Sequence, residues 1–520
     1  MRSIIIYICL IFFTQRGFGQ VGIGTTTPHP SAKLDVTSTN SGFLPPRMTT
    51  LERNAIANPS PGLMIFNTNT QSLEIFTNYG WMGIQNQTSE RRPIGGGGGG
   101  ELGEDQTSSI YQTDDGGFIV AGTSNSSANG DVTGTIHGMR GPNDYWIVKL
   151  DASRNIVWNK LLGGNSDESA QDIAQTSDGG YIIVGYSQSS ATGDVTGTNH
   201  GSYDFWIVKL DGSGNIIWNK LLGGSGDDIA YSIQQVSVGG YIVAGYSFSS
   251  ANGDVSGTNH GSVDSWIVRL DDEGNIKWNK LLGGSGSDRA YSIHETTDGG
   301  FIVGGISTSS ANGDVTDINH GQTDYWIIKL NEAGSIVWNK LLGGNEDDNL
   351  QSIQQTTRNE YIVAGFSSSS ANGDVTPINH GQGSSTDYWI LDLDKNGNII
   401  WNKLLGGTNA DNAYSIQETT DGGSIVAGYS FSSANGDVSS VNHGSSDYWI
   451  VKLDGSGNII WNKLIGGSGS DEAHSVRQTA DGGYIVAGFS NSSFNGDVTG
   501  GNHGSDDIWI IKLGSNGFLF

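Results

Sequence analysis

Residues 227–286 read DDIAYSIQQVSVGGYIVAGYSFSSANGDVSGTNHGSVDSWIVRLDDEGNIKWNKLLGGSG. Four strand signals lie within them, at 231–235, 241–247, 265–270 and 275–282. A Gly-Gly turn separates the first two. It is usually written DGG, as at Asp298-Gly299-Gly300. Asp271-Asp272-Glu273-Gly274-Asn275 separates the last two, a tight hairpin with glycine where φ must be positive. The unit is therefore expected to be a four-stranded antiparallel meander.

The unit recurs. Trp146, Trp206, Trp266, Trp326, Trp389, Trp449 and Trp509 each sit in a phrase like DYWIVKL, spaced by 60 residues with one step of 63. A fixed long period means one structural unit stacked on copies of itself. Runs such as YIVAGYS and YWIVKL do not alternate apolar with polar, so both faces of each sheet are expected to be buried. Seven such units predict an all-β, seven-bladed β-propeller over 101–520. A β-solenoid would repeat over fewer residues, and a membrane barrel needs a lipid-facing alternation that is missing. Six units carry a WNK strand, and the seventh ends at Gly517-Phe518-Leu519-Phe520. Either that stub closes the ring or a segment before residue 100 pairs there.

The grammar LDGSGNIIWNKLLGGSGSDEAHSVRQTADGGYIVAGFSNSS at Leu453–Ser493 resembles the SBBP-type seven-bladed propeller repeats. That resemblance implies an extracellular bacterial propeller and assigns no chemistry. Residues 20–88 hold most of the prolines. Gly42-Phe43-Leu44-Pro45-Pro46-Arg47-Met48, Gly62-Leu63-Met64-Ile65-Phe66-Asn67 and Trp81 resemble the N-terminal module of secreted surface proteins of Bacteroidetes, some of them similar to phage tail fibres. Short strands are expected at 63–67 and 73–76, and a helical turn at 50–57. Residues 89–100 are expected to be a flexible glycine-rich joint.

Residues 1–19 have Arg2, an apolar stretch and then Gly17 and Gly19, the pattern of a secretory signal. The expected location is outside the cell or on its outer surface, with no transmembrane span after signal removal. Cys9, the only cysteine, lies in that stretch, so no disulfide or cysteine metal site is expected. The net charge of -27 repels phosphate backbones and argues against nucleic acid.

Three polar positions recur in every unit. One is the Asp of G-D-V: Asp131, Asp194, Asp254, Asp314, Asp374, Asp437 and Asp497. Another is the His of H-G: His137, His200, His260, His320, His380, His443 and His503. The third is an acid just before the first strand: Asp105, Glu168, Asp228, Asp288, Asp348, Asp411 and Asp471. In a meander, alternate connections fall on opposite ends. The long loop between second and third strands should then share a rim with the blade-to-blade connection. The third set is expected to ring the channel mouth as candidate cation ligands, and the first two sets to form a ligand-binding face.

Each set has two readings. Asp and Asn in loops cap turns through their own backbone. Oxygen-rich clusters in secreted proteins also hold cations, calcium above all. Tyr186, Tyr246 and Tyr429, with Phe248, Phe431 and Phe494, lie near the loop and could pack inward or stack on a sugar or protein partner. No nucleophile elbow, H-E-x-x-H or P-loop occurs. Departures from the repeat are the better places for chemistry: 138–143, 381–386 and Arg358-Asn359-Glu360. The expected function is an exported, non-enzymatic binding or adhesion scaffold for a protein or glycan. The alternative is an extracellular polysaccharide lyase or hydrolase at the channel mouth.

Overall fold

The structure, a computed structural model, describes residues 21–23, 27, 34–39, 43–69, 72–77, 80–84, 93–96, 103–138, 142–381 and 383–519. The expected secretory signal at 1–19 lies outside the described residues. The chain divides into two units, 1–87 and 88–520.

The larger unit is the seven-bladed propeller. Blade three shows its grammar, with strands Asp228–Gln235, Tyr241–Ser247, Asp264–Leu270 and Ile276–Leu282 hydrogen-bonded in chain order. Neighbouring strands are antiparallel. The first strand begins at the recurring acid, three residues before the expected start, and carries a bulge between Ala230 and Ser232. All seven residues of the third strand are buried. The cause is stacking: Ile182, Phe205 and Ile207 of blade two pack with Ala230, Tyr241 and Trp266 of blade three. Each central tryptophan is fully buried. At roughly 25 cal/mol per Å², its burial is worth about 4–6 kcal/mol before ordering entropy.

The ring is closed. The second residue after each first strand donates its N–H to the side-chain oxygen of the Gln or Glu ending the first strand of the next blade, at 2.7–2.9 Å. The last of these, Ala480 N–H to Gln112 Oε1, joins blade seven to blade one. Ile485 and Ile508 share a core with Ile110 and Trp146 across the same seam. The first strand is therefore innermost.

Blade seven has three full strands, ending at Asp507–Leu513. Both closures left open by the sequence occur together. Leu519 pairs with Leu513, and Ile94 pairs with Ile508. In blade three the same two positions belong to Ile276 and Leu282, the ends of one strand. Ile94-Gly95-Gly96 thus does the work of Leu282-Gly283-Gly284. Gly95 O accepts from Asp131 N–H at 2.8 Å, as Gly283 O does from Asp314. Residues 94–96, within the stretch expected to be a loose joint, are blade wall.

The smaller unit pairs Val21–Ile23 with Leu34–Val36, in parallel. A second sheet orders Arg47–Met48, Met64–Asn67, Ser72–Thr77 and Gly80–Ile84. The helix Thr50–Asn54 starts on a capping box, Thr49 with Glu52. Phe43, Leu44 and Leu51 are 66%, 69% and 81% exposed. Among the described residues no helix is long and apolar enough to cross a membrane.

Candidate functional site

The long loops and the blade connections do share one rim. Phe248 N–H donates to Asp227 O, and Asp254 N–H to Gly223 O. The recurring polar residues meet there: the third-set acids lie inside the wall, while the histidines are exposed on the rim and the G-D-V aspartates half-buried.

Each recurring histidine places Nδ1 2.7–3.0 Å from the aspartate that opens its own third strand, Asp144, Asp204, Asp264, Asp324, Asp387, Asp447 or Asp507. Its backbone N–H donates to the same oxygen, as at His260 and Asp264. These aspartates are wholly buried, and burial raises each carboxyl above its ordinary value against the pull of the histidine contacts. His137 and His380 keep the contact although the chain between them and their aspartates is three residues longer. The clamp is therefore unchanged in the two enlarged blades.

The G-D-V aspartates tie one blade to the next. Each accepts, through Oδ2, the N–H of the first glycine after the preceding blade's outer strand, at 3.2–3.3 Å. The third set is not a ring of exposed carboxylates at the channel mouth. Asp105, Glu168, Asp228, Asp288, Asp348, Asp411 and Asp471 are wholly buried at the seams. Each accepts the N–H of the second glycine at 2.6–2.7 Å. A serine hydroxyl from the neighbouring strand or loop donates as well, Ser249 to Asp228 and Ser187 to Glu168. Burial pushes Asp105 and Asp228 up to about 6, and Asp348 and Asp411 up to about 7. Among the described residues no three His, Asp or Glu side chains converge as a metal-holding group. The first and third sets thus bond backbone between blades, and the histidines bond the aspartate that opens their own third strand.

The axial channel holds what the repeat does not explain. A cavity of about 710 Å³ is lined by the first strands of all seven blades. At its waist the N–H of Ile293, Ile353, Ile416, Val476 and Ile110 donates to a serine of the preceding blade. Blade two breaks the set with Asp172. It accepts from Ile233 N–H at 3.0 Å and Ser109 Oγ at 2.9 Å. Burial raises its carboxyl, while Ile233 N–H and the Arg477 cation pull the other way. His294 and His474 are held at about 4 by burial, so both are neutral at pH 7.

The aromatics form an arc. Tyr231 stacks edge-on to Tyr291 at 5.0 Å, and Tyr414 lies 5.1 Å from His474. Tyr246 and Tyr429 pack behind Tyr231 and Tyr414, and extend to Phe248 and Phe431 on the rim. Tyr186 turns edge-on to Tyr203. Phe494 stands 75% exposed on the loop. Blade one has Gln106, Ser108 and Thr123 instead. Sequence reading named the second-strand aromatics and missed the first-strand ones. The signal was available: aligned first strands read DIAYSIQQ, DRAYSIHE and DNAYSIQE against DQTSSIYQ and ESAQDIAQ.

A family model described as a phage tail like trimerisation region matches residues 22–96. The regulatory protein FlaEY of Caulobacter vibrioides is 23% identical over 212 residues, 38% of this chain. The match spans 22% of that protein's own length. BamB from Moraxella catarrhalis is similar over 80% of this chain and 90% of its own, at 13% identity and TM-score 0.33. The WD40 domain of Neurospora crassa Pan2 covers 73% and 85%, at 11% and 0.41. A protein of unknown function from Bacteroides caccae covers 61% and 89%, at 11% and 0.34. The propeller architecture stands on the strand pairings themselves.

Proposed function

We propose that this chain is an exported, non-enzymatic binding scaffold that offers its loop rim and channel mouth to a glycan or protein outside the cell or on its surface. One observation carries the reading. Departures from the sevenfold repeat line the channel, most of them aromatic, hydroxyl or amide side chains, while the repeated Asp and His residues are engaged in blade clamps. Clamped acids and histidines hold shape, whereas unlike aromatics around a cavity suit recognition. Binding through these groups requires no calcium.

The match to a trimerisation region and the exposed Phe43, Leu44 and Leu51 support three copies per assembly. Three propellers on one stem would raise avidity by about 10²–10⁴ without new contacts. Light scattering of the mature chain should give a trimer, and of 88–520 a monomer. A glycan array run with and without calcium tests the binding reading. Binding in neither condition, together with no captured protein on surface-exposed bait, would sink it.

Asp172, His294 and Arg477 give the lyase or hydrolase alternative its one foothold, as unlike polar groups in one cavity. Asp172 is already held by two backbone N–H groups and one hydroxyl, which suits a fixed wall better than a moving proton. Unsaturated or reducing ends released from a polysaccharide would decide for the alternative.

A further inference from the structure

We infer that the axial channel is a saccharide site that takes the end of a neutral glycan chain. The inference rests on the binding reading above and names its ligand. Pyranose rings have an apolar face and a rim of hydroxyls. The channel has matching sides: the half-buried rings of Tyr231, Tyr291, Tyr414 and His474, and the polar wall of blades one and two, with the hydroxyl of Ser108 and the amide of Gln171. Its volume of about 710 Å³ lies within the range of small-molecule sites, about 300–1,000 Å³.

Charge narrows the class. The chain carries -27 overall, so a polyanionic glycan is repelled before it arrives. Inside, Arg477 and Asp172 offset each other, and the two histidines are neutral. Neither a cation nor an anion finds a net partner.

A peptide is excluded by the backbone. An extended peptide binds by adding a strand to an open edge. Here the inner edge is already capped. The waist serines take the N–H groups of one row, and Gln234, Gln354 and Gln417 accept those of Glu295, Glu418 and Gln478 through Oε1. Those glutamines keep their Nε2 donors, which suit sugar hydroxyls. An axial channel also admits a chain end and not a chain lying across it.

The test uses the full mature chain on a panel of neutral and acidic linear oligosaccharides, followed by calorimetry on the best binder. Tyr231→Ala and Tyr414→Ala should each weaken binding about tenfold. Tyr231→Phe should keep it, since the ring face is retained, and it guards against a folding defect. Ile217→Ala, on the exposed outer strand of blade two, should leave it unchanged. A cyclic oligosaccharide of the same linkage, having no end, should not compete. Loss on Phe494→Ala with Tyr231→Ala intact would move the ligand to the rim, overturning the channel site and keeping the scaffold reading. Competition by the cyclic sugar would overturn end-on entry. A protein captured in place of any sugar would also overturn the site while leaving the scaffold.

Discussion

Arg358 Nη2 lies 3.3 Å from Asp392 Oδ2, and this ion pair is the reverse of one that five other blades carry. In blades one, two, four, six and seven the turn residue is an aspartate and the third strand supplies the lysine. Examples are Asp298 with Lys329 and Asp178 with Lys209. Blade five has exchanged the signs. Arg358-Asn359-Glu360, singled out by sequence as a candidate site, is therefore half of a structural pair.

Reversing one partner should be costlier than reversing both. Arg358→Asp sets a new carboxylate beside Asp392, Glu360 and Glu418. The pair is partly exposed, so a loss of about 1 kcal/mol is expected. Adding Asp392→Lys rebuilds the arrangement of blade four and should recover most of it. Urea unfolding of the four proteins in a double-mutant cycle measures the coupling. A coupling indistinguishable from zero would show that the exchange of signs has no energetic meaning.

The two-piece outer strand of blade seven makes closure depend on Ile94. Ile94→Asp puts a charge into the seam core shared with Ile508 and Trp146, which should cost about 2–4 kcal/mol. The loss should be local first. Amide exchange should rise in Asp507–Leu513 before any other third strand. Uniform protection across the seven third strands would mean that the stub at Leu519 closes the ring without Ile94.

Much of this fold was legible because its determinants are local and repeated. The β-branched runs, the DGG turn and D-x-x-G-N fix strands and hairpins within twenty or so residues of each other. The rim that gathers the loops follows from counting connections. What could not be read is which way a first-strand side chain points. The bulge between Ala230 and Ser232 shifts the alternation, so that Asp228 is sealed in a seam while Tyr231 faces the channel. That shift puts the acids, expected at the channel mouth, inside the seams. The aspartate opening each third strand, such as Asp264, was equally repeated and was absorbed into the DYWIVKL strand phrase. Its burial appears only when blades are stacked.

The histidine clamp predicts a stability effect with no metal in it. His260→Ala leaves the buried Asp264 with the backbone N–H of residue 260 as its remaining donor there. A loss of about 1–3 kcal/mol is expected, since a buried acceptor is deprived of a partner. With the histidines and rim acids serving as clamps, millimolar calcium and its chelation should leave the melting temperature of 88–520 unchanged. A rise on adding calcium, lost in Asp254→Asn, would return the rim acids to the role of cation ligands.

The buried seam acids set the pH dependence. Asp348 and Asp411 are raised to about 7, and Asp105, Asp228 and Asp392 to about 6, from an unfolded value of about 3.9. A raised acid binds its proton more tightly in the folded chain. Its contribution is complete below the unfolded value and disappears as pH climbs through the folded one. The turn aspartates act oppositely. Thr113, Lys149 and the Gly117 N–H hold Asp115 down at about 2 although partial burial pulls it up, and Asp178 and Asp298 sit at about 2 through equivalent contacts. Their contribution is present above about 4 and is lost as pH falls toward 2. The melting temperature of the propeller should thus peak near pH 4–5 and decline steadily between pH 5 and 8. Asp348→Asn and Asp411→Asn together should flatten the decline at its alkaline end, because the amide cannot ionise. A curve that instead rises from pH 5 to 8 would mean that these carboxylates are ionised in the folded ring.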